Sequence, residues 1–497
     1  MKKFIAVIIL SAMVLTIMVS CGDDKQNTEK PGENNADIPA GETDQNQSGG
    51  ADAANERIEP ELPEKDFEGY EFTFYAHKID YAGDWVGDGD PREIVSDEET
   101  GDPIEDSVYR RNRAIEGKYN INIKMITSSD NVGALRRVVN AGDSIYDAAV
   151  IFNNNVPGVV TNNLLVNVDH LPYIDLSRPW WDPAVKSMSI ANQNYLMAGD
   201  LLILDNEATS ALLFNKDLMG NFGIELPYKL VNEGKWTMDA MNEIIKDTAE
   251  DLDGNGVMGP EDRWGFVVGT DTLHSLFVSG GGALAIKDND DIPFINFTSP
   301  RNLAVIEKAM DLMYNPEYVV NVHNRTEYSP NAMFEENRVL FFWMRMRVVE
   351  FFRGMESNFG IVPMPKYEET QENYYSVVNP YTGVMLGIPK SAEDLDRVSI
   401  IIEALSAESR YTLQPAYYDL ALQRKYVRDD ESGEMLDIIF NSRVYDIGSV
   451  YSFGNVFLDF IELSRNQNRN VMSYYESRIT RMESDIEKVV KNFTEME

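Results

Sequence analysis

The sequence reads Asn337-Arg338-Val339-Leu340-Phe341-Phe342-Trp343, and this short continuous apolar run predicts a strand buried inside the protein. Runs of the same kind recur along the chain. We expect strands at 70–75, 121–126, 147–152, 211–214, 265–268, 339–343 and 384–388. Segments with helical periodicity lie between these runs, and the alternation of strand and helix is typical of an α/β fold.

Start signals for helices support this alternation. Thr237 precedes an apolar stripe of helical spacing, and Ser299 stands directly before Pro300. Ser391 with Asp394 resembles a capping box before a further helix. The chain ends in a long amphipathic helix, whose apolar positions are Tyr475, Ile479, Met482, Ile486 and Val489. We interpret all these stripes as core positions.

The first residues carry a targeting signal. Lys2 and Lys3 precede an apolar run from 4 to 19, and Ser20 is followed by Cys21, the only cysteine in the chain. A basic start, an apolar centre and a small residue before the cut site are typical of a secretory signal. The pattern resembles a bacterial lipobox, which implies removal of residues 1–20 and acylation of Cys21. The alternative is an ordinary secretory signal, or an uncleaved anchor, with Cys21 incidental.

Composition predicts a tether after the signal and limits the partners. From Cys21 to residue 66 the chain is rich in Gly, Asn, Asp, Glu, Gln and Pro, so we expect a disordered acidic tether. Loss of residues 1–20 moves the formal charge from −38 to −40, a balance that argues against nucleic acid as a partner.

The 431 residues from Phe67 to Glu497 exceed what one hydrophobic core serves, so we expect two lobes.

The order of several segments resembles the extracellular solute-binding proteins of ABC importers, in the large group that includes maltose-binding protein. The segments are 146–150 (YDAAV), 211–216 (ALLFNK), 234–237 (GKWT), 263–266 (RWGF), 337–343 (NRVLFFW), 360–365 (GIVPMP) and 382–389 (TGVMLGIP). The resemblance implies a two-lobe periplasmic-binding-protein-like II fold, with a hinge and a ligand cleft between the lobes. By this analogy lobe one comprises 67–205 plus 360–410, and lobe two comprises 206–359 plus 411–497, with crossings near 201–214 and 360–364.

One loop has the spacing of a calcium site. Residues 251–262 read DLDGNGVMGPED. Asp251, Asp253 and Asn255 stand at the first, third and fifth positions, Val257 supplies a backbone carbonyl, and Asp262 closes the loop. Hard cations such as calcium bind several oxygen atoms, and Gly256 permits the turn between them. We predict a structural calcium brace; the alternative is a solvated turn.

Aromatic and amide side chains near polar turns are the candidate ligand contacts. Sugars present apolar C–H faces to flat rings and hydroxyl groups to polar side chains, so a sugar cleft combines both. The candidates are Trp343, Arg345, Tyr381, Tyr417, Trp181, Trp236, Asn153, Asn154 and Gly281. For each of the tryptophans the alternative is a core position, and for the asparagines a plain turn. Position in the family pattern places Trp343 first.

Catalytic motifs are absent from the sequence: it contains neither a His-Glu-x-x-His nor a Gly-x-Ser-x-Gly pattern, and its four histidines are scattered. We therefore predict a binding protein and not an enzyme. It is expected to be a monomer, held by lipid on the extracellular face of the cytoplasmic membrane, that passes a saccharide to ABC permease subunits. A peptide or another polar solute is the alternative ligand. An extracellular carbohydrate-active enzyme and a calcium-braced adhesion lipoprotein are the alternative functions.

Overall fold

The computed structural model describes residues 57–78, 91–323, 325, 327–422 and 430–495. The predicted signal sequence, Cys21 and residues 22–56 of the predicted tether lie outside these ranges. Within them the strands are β1 (Tyr70–His77), β2 (Ile121–Ser128), β3 (Ala148–Phe152), β4 (Ser210–Asn215), β5 (Trp264–Val268), β6 (Ala285–Lys287), β7 (Pro293–Ile295), β8 (Val319–Asn321), β9 (Val339–Arg345), β10 (Phe359–Val362), β11 (Ser376–Val377), β12 (Val384–Gly387) and β13 (Arg443–Val444). Every strand expected from the sequence is present.

Helices fill the intervals between strands. They are α1 (Pro103–Tyr119), α2 (Asn131–Ala141), α3 (Val156–Val160), α4 (Leu204–Glu207), α5 (Lys216–Phe222), α6 (Tyr228–Asn232), α7 (Met238–Ile245), α8 (Thr272–Ser279), α9 (Pro300–Met313), α10 (Pro330–Glu335), α11 (Leu395–Ser409), α12 (Leu413–Leu422), α13 (Asp430–Asn441), α14 (Ile447–Val450), α15 (Val456–Arg465) and α16 (Val471–Glu495). None of the helices in the described part of the chain is both long and apolar enough to cross a bilayer.

Two sheets organise the molecule. The first has the order β12-β3-β1-β2, with β1 parallel to β2 and β3 and with β12 antiparallel to β3. The second has the order β10-β4-β9-β5-β8. The apolar run that begins at Val339 is β9, the central strand of the second sheet, and all seven of its residues are buried. A strand covered on both faces is apolar throughout, which explains the continuous run.

Separate cores support the two sheets and define two lobes. Phe72, Val150 and Ile401 belong to the core of lobe one, and Phe214, Phe266 and Phe341 belong to that of lobe two. A third apolar cluster joins residues of both lobes, since Tyr75 and Ile151 of the first sheet are grouped there with residues of α14 and α16. The predicted α/β class and two-lobe fold are confirmed.

The chain passes between the sheets along paired segments. Met197 still pairs with Leu386 beside the first sheet, and β4 enters the second sheet at Ser210. The return occurs later than the predicted crossing at 360–364, because β10 pairs with β4 in the second sheet. The returning segment, 363–383, lies against the outgoing one through the bridge between Thr209 and Val378. Adjacent crossing segments of this kind form a hinge.

The predicted helix caps differ in one case. Thr237 Oγ1 accepts a hydrogen bond from Ala240 N, and Ser299 Oγ accepts one from Asn302 N, as the sequence predicts. At α11 the cap is Asp394 itself, whose Oδ1 accepts from Arg397 N, and Ser391 does not form the predicted capping box. Asp394 adopts a positive φ of 55°, so the chain turns sharply into the helix one residue before Leu395.

The last residues of the predicted tether lie against lobe one. Ile58 N donates a 2.8 Å hydrogen bond to Tyr411 Oη, and the Arg57 guanidinium lies 4.8 Å from the centre of the Tyr411 ring. Leu62 packs on the core of lobe one. Residues 57–66 therefore belong to the folded body.

Candidate functional site

Polar side chains stand at the ends of strands in both sheets. His77 ends β1, Asn153 follows β3, Asp271 follows β5 by three residues and Arg345 ends β9. In open α/β sheets, ligands bind beyond the carboxyl ends of the parallel strands. The two lobes thus each contribute polar groups at the position where this fold class binds ligand.

A turn between the lobes contacts Asn153, Asp271 and Arg345. Asn379 N donates to Ala208 O on the other crossing segment at 3.0 Å. The Asn379 side chain donates from Nδ2 to Asp271 Oδ2 at 2.8 Å, and its Oδ1 accepts from Tyr381 N at 2.9 Å. The turn is therefore fixed to the hinge on one side and to lobe two on the other.

Arg345 lies beneath this turn. It is 7 % exposed, and its Nη1 donates to Thr382 Oγ1 at 3.3 Å. Burial lowers the pKa of Arg345, while the Asp271 carboxylate acts to raise it. We call Asn153, Asp271, Arg345, Asn379 and Thr382 the cleft cluster; it combines two amides, a carboxylate, a guanidinium and a hydroxyl group.

Asn153 contributes from lobe one. It is fully buried, and its backbone N donates to Gly383 O at 2.9 Å. A Cβ atom at Gly383 would lie only 2.7 Å from Asn153 Nδ2, so this contact requires glycine. In the described part of the chain neither Asn153 Oδ1 nor Nδ2 has a hydrogen-bond partner. Buried amides are normally satisfied, so a hydrogen-bonding ligand is one way to complete this site.

Two of the predicted aromatic residues lie near the cleft cluster in different environments. Tyr381 is 42 % exposed and packs against Phe457 of α15, with ring centroids 5.3 Å apart and the ring planes tilted by 30°. Trp343 is 4 % exposed and belongs to the core of lobe two. Its Nε1 has no hydrogen-bond partner among the residues described. Tyr381 therefore offers a ring face to a ligand, whereas Trp343 offers at most its N–H group.

The other predicted residues make contacts elsewhere. Trp236 is fully buried and donates from Nε1 to Pro363 O at 2.8 Å, and Trp181 donates from Nε1 to Glu403 Oε2 at 2.9 Å. Tyr417 is buried in α12, where burial raises its pKa well above the usual value. Gly281 has a φ of +83° and lies near Arg301 and Gln371. Asn154 is exposed directly after the buried Asn153.

Asp271, Asn379, Thr382 and Phe457 are not among the residues predicted from the sequence. A signal existed for the first of them, because Asp271 follows a predicted strand at the polar end where sites occur. Asn379 and Thr382 lie in a turn whose partners are distant in sequence. Only the folded chain shows that this turn faces Asp271 and Arg345.

The predicted calcium loop is closed by a bridge between Glu250 and Arg263. Asp251 Oδ2 accepts from Gly256 N at 2.7 Å, and Asp262 Oδ2 accepts from Gly259 N at 2.6 Å. Carboxylate oxygens of Asp251, Asp253 and Asp262 lie within 4.8 Å of one another. The hydrogen bond that Gly256 N donates is the largest of the contacts that lower the pKa of Asp251. These residues fit a hard cation, with Asn255 and the carbonyl of the exposed Val257 on the same loop.

A serine, a histidine and an aspartate meet in the interior of lobe two. Ser449 Oγ lies 2.8 Å from His274 Nε2 and donates to Asp446 Oδ2 at 2.5 Å. All three residues are at most 5 % exposed, and Asp446 also caps α14 by accepting from Ser449 N. In a nucleophilic triad the carboxylate orients the second imidazole nitrogen, whereas here it binds the serine. The group is a buried helix cap.

Comparison with solved structures identifies the fold. The chain is similar to UspC from M. tuberculosis, at 14% identity and a TM-score of 0.55, over 83% of this chain and 100% of that one. It is similar to a solute-binding protein of an ABC transporter from Thermotoga lettingae bound with α-D-tagatose, at 13% identity and a TM-score of 0.51, over 86% and 100% of the two chains. It is also similar to an ABC substrate-binding protein from Listeria monocytogenes in complex with cycloalternan, at 12% identity and a TM-score of 0.50, over 86% and 99%.

The likeness covers nearly the whole of each solved chain, and it shows that the protein has the fold of ABC solute-binding proteins. The predicted resemblance is confirmed at this level. No protein-family model and no curated protein sequence matches the chain.

Proposed function

We propose that this protein is a solute-binding component of an ABC importer and captures a saccharide in the cleft between its lobes. The observation that carries the proposal is the cleft cluster, in which Asn379 of the hinge turn binds Asp271 of lobe two beside the buried Arg345. The fold likeness supports the proposal, because two of the similar structures contain saccharides.

The chemistry of the cleft cluster suits a sugar. Asp271 and Asn153 offer acceptors, Arg345 and Asn379 offer donors, and the exposed face of Tyr381 offers a flat apolar surface. Sugar hydroxyl groups need such convergent donors and acceptors, and sugar C–H groups need such a ring. A ligand that touches both lobes favours the closed arrangement by its differential affinity for it.

The proposal includes a lipid anchor and a permease. Cys21 would carry acyl chains, residues 22–56 would serve as a tether, and the body would work as a monomer on the extracellular face of the cytoplasmic membrane. Stable anchoring needs more than one acyl chain. Permease subunits would receive the solute from the closed form. Mass spectrometry of the membrane-extracted protein tests the anchor. A chain that still carries residues 1–20, or a Cys21 without acyl groups, would refute it.

The proposal also includes a structural calcium ion. Asp251, Asp253, Asn255, Asp262 and the carbonyl of Val257 would hold it, and the ion would brace the loop between α7 and β5. The calcium ion would stabilise the loop by neutralising the three adjacent carboxylates of Asp251, Asp253 and Asp262.

The decisive experiment is a thermal-shift panel on the mature chain. The panel contains maltotriose, raffinose, mannotriose and tagatose, with trialanine and trilysine as peptide members. We expect a melting-temperature rise with at least one saccharide, and recovery of that saccharide unchanged. A rise only with peptides would favour the alternative ligand class, and cleavage of the saccharide would favour the enzyme. A shift with none of these ligands would count against the proposal.

A further inference from the structure

A large cavity lies beside α13. Its volume is about 1020 Å³, slightly above the range of roughly 300–1,000 Å³ usual for small-molecule sites. None of the cleft cluster lines it. We call it the α13 cavity, since its wall includes Asp437, Phe440 and Asn441 of that helix.

Both lobes contribute to the wall. Trp181 and Arg410 come from lobe one, where the Trp181 indole is fixed by Glu403. The α13 wall belongs to lobe two, because Ser432 Oγ on that helix lies 2.9 Å from Tyr228 Oη of α6. A molecule in the α13 cavity would therefore contact both lobes, as the proposed ligand in the cleft would.

The polar part of the wall is a set of paired charges. Arg443 Nη2 lies 3.0 Å from Asp182 Oδ2 on the wall. Arg443 Nη1 lies 3.4 Å from Oδ2 of Asp205, which is buried and does not itself line the cavity. Arg410 Nη1 lies 3.4 Å from Asp200 Oδ2. Since each arginine faces a carboxylate, this part of the wall offers donors and acceptors without a large local excess of either charge.

Two of these atoms lack hydrogen bonds. The Asp182 side chain is only 5 % exposed, and its Oδ2 has the ion pair with Arg443 but no hydrogen-bond partner within the described ranges. Arg443 Nε is likewise buried without a hydrogen-bond partner in the same ranges. A buried polar atom without a hydrogen bond costs free energy, and an incoming hydroxyl group that bonds to it removes that cost.

Aromatic rings form much of the remaining wall. Trp181, Tyr374, Tyr411 and Tyr418 all line the cavity, and the Tyr418 ring lies 5.4 Å from that of Phe440. Glu372 and Asp437 add exposed carboxylates, which disfavour an anionic ligand. Rings, paired charges and amides together suit a molecule with apolar C–H faces and many hydroxyl groups.

We propose that the α13 cavity is a second binding site, distinct from the cleft, for an uncharged polyhydroxylated molecule of oligosaccharide size. The inference does not rest on the proposed function, because it concerns a separate set of residues. Asn441 is the residue of choice for a test, since it is exposed, lines the cavity and ends α13. Asn441→Trp adds a bulky ring at the wall of the cavity without removing a core side chain. Glu431→Trp places the same ring at an exposed position of α13 outside the cavity.

The experiment is isothermal titration of the mature chain carrying Asn379→Ala, which impairs the cleft cluster, with maltotriose, raffinose, cellotriose and spermidine. We expect saturable binding of at least one trisaccharide, a loss of at least tenfold in affinity with Asn441→Trp added, and less than a twofold change with Glu431→Trp added. Tyr418→Ala serves as a second cavity variant and should weaken the same trisaccharide at least threefold.

Three results would overturn the inference: binding of no trisaccharide to the Asn379→Ala chain, binding of spermidine alone, or trisaccharide affinity that neither cavity variant changes. The proposed function fails by a different result, namely trisaccharide binding to the unaltered chain that Asn379→Ala leaves unchanged.

Discussion

Asn379 Nδ2 donates a 2.8 Å hydrogen bond to Asp271 Oδ2, and this contact ties the turn between the lobes to lobe two. Asn379 N is bound at the same time to Ala208 O on the other crossing segment. One residue thus connects both crossing segments to the wall of the cleft. Any movement of the lobes must either carry Asp271 with the turn or break this bond.

Asn379→Ala should weaken saccharide binding in the cleft by about tenfold, which corresponds to about 1.4 kcal/mol. The reason is that Asp271 and the Tyr381 turn lose the side chain that positions them. Titration with the saccharide that gives the largest thermal shift measures the effect. The matched control is Asn122→Ala, which removes an exposed asparagine from β2 and should leave the affinity unchanged.

Trp343 calls for two substitutions. Trp343→Ala should lower the free energy of unfolding by about 3–5 kcal/mol, because the ring is buried in the core of lobe two. Loss of binding in that variant would therefore not distinguish a ligand contact from a structural role. Trp343→Phe keeps a ring in the core and removes the unpaired N–H group. If the N–H group binds ligand, Trp343→Phe should reduce affinity several-fold at nearly unchanged stability; equal affinities would assign Trp343 to the core alone.

Calcium should stabilise the chain through the 251–262 loop. A cation at a hundredfold excess over its Kd adds about 2.7 kcal/mol to the free energy of unfolding. We expect calcium to raise the melting temperature of the unaltered chain and to have no effect on Asp253→Ala. Asp288→Ala, in the acidic turn between β6 and β7, is the control and should retain the response. A response that survives Asp253→Ala would show that the ion binds elsewhere.

Glu403 predicts a pH dependence. Burial raises its pKa from 4.5 to about 7, although both indole groups of Trp180 and Trp181 donate to it. Between pH 5 and 8 the folded state binds more protons at this group than the unfolded state does, so its contribution to stability falls as the pH rises. Glu403→Gln cannot titrate. The stability difference between the unaltered chain and Glu403→Gln, measured by urea unfolding, should therefore decrease from pH 5 to pH 8; a constant difference would contradict the assignment.

Residues 57–66 should contribute to stability. A chain that begins at residue 67 loses the Leu62 packing and the contacts of Arg57 and Ile58 with Tyr411. We expect its melting temperature to fall by a few degrees relative to a chain that begins at residue 57. The chain that begins at residue 57 should match a chain that begins at residue 21, and equal melting temperatures for all three would show that residues 57–66 add nothing to stability.

Local patterns predicted the elements well. The apolar runs at 70–75, 147–152 and 339–343 are strands, and the caps at Thr237 and Ser299 are formed. The capping box predicted at Ser391 was wrong because both Ser391 and Asp394 precede α11. The spacing alone did not show that Asp394 takes the cap position. The length of the chain predicted two lobes, and the resemblance to solute-binding proteins implied the two-lobe fold.

The sequence by itself determined the α/β class, the strands and the oxygen-rich loop at 251–262, because each follows from the spacing of residues close together in the chain. Only the tertiary structure decided the cleft cluster and the α13 cavity. Asp271 meets Asn379, and Asp182 meets Arg443, across separations of more than a hundred residues. The physical reason is that burial and pairing depend on how the crossing segments align, and no local periodicity records that alignment. The same reason separates Tyr381, whose ring stays exposed, from Trp236, whose ring fills the core.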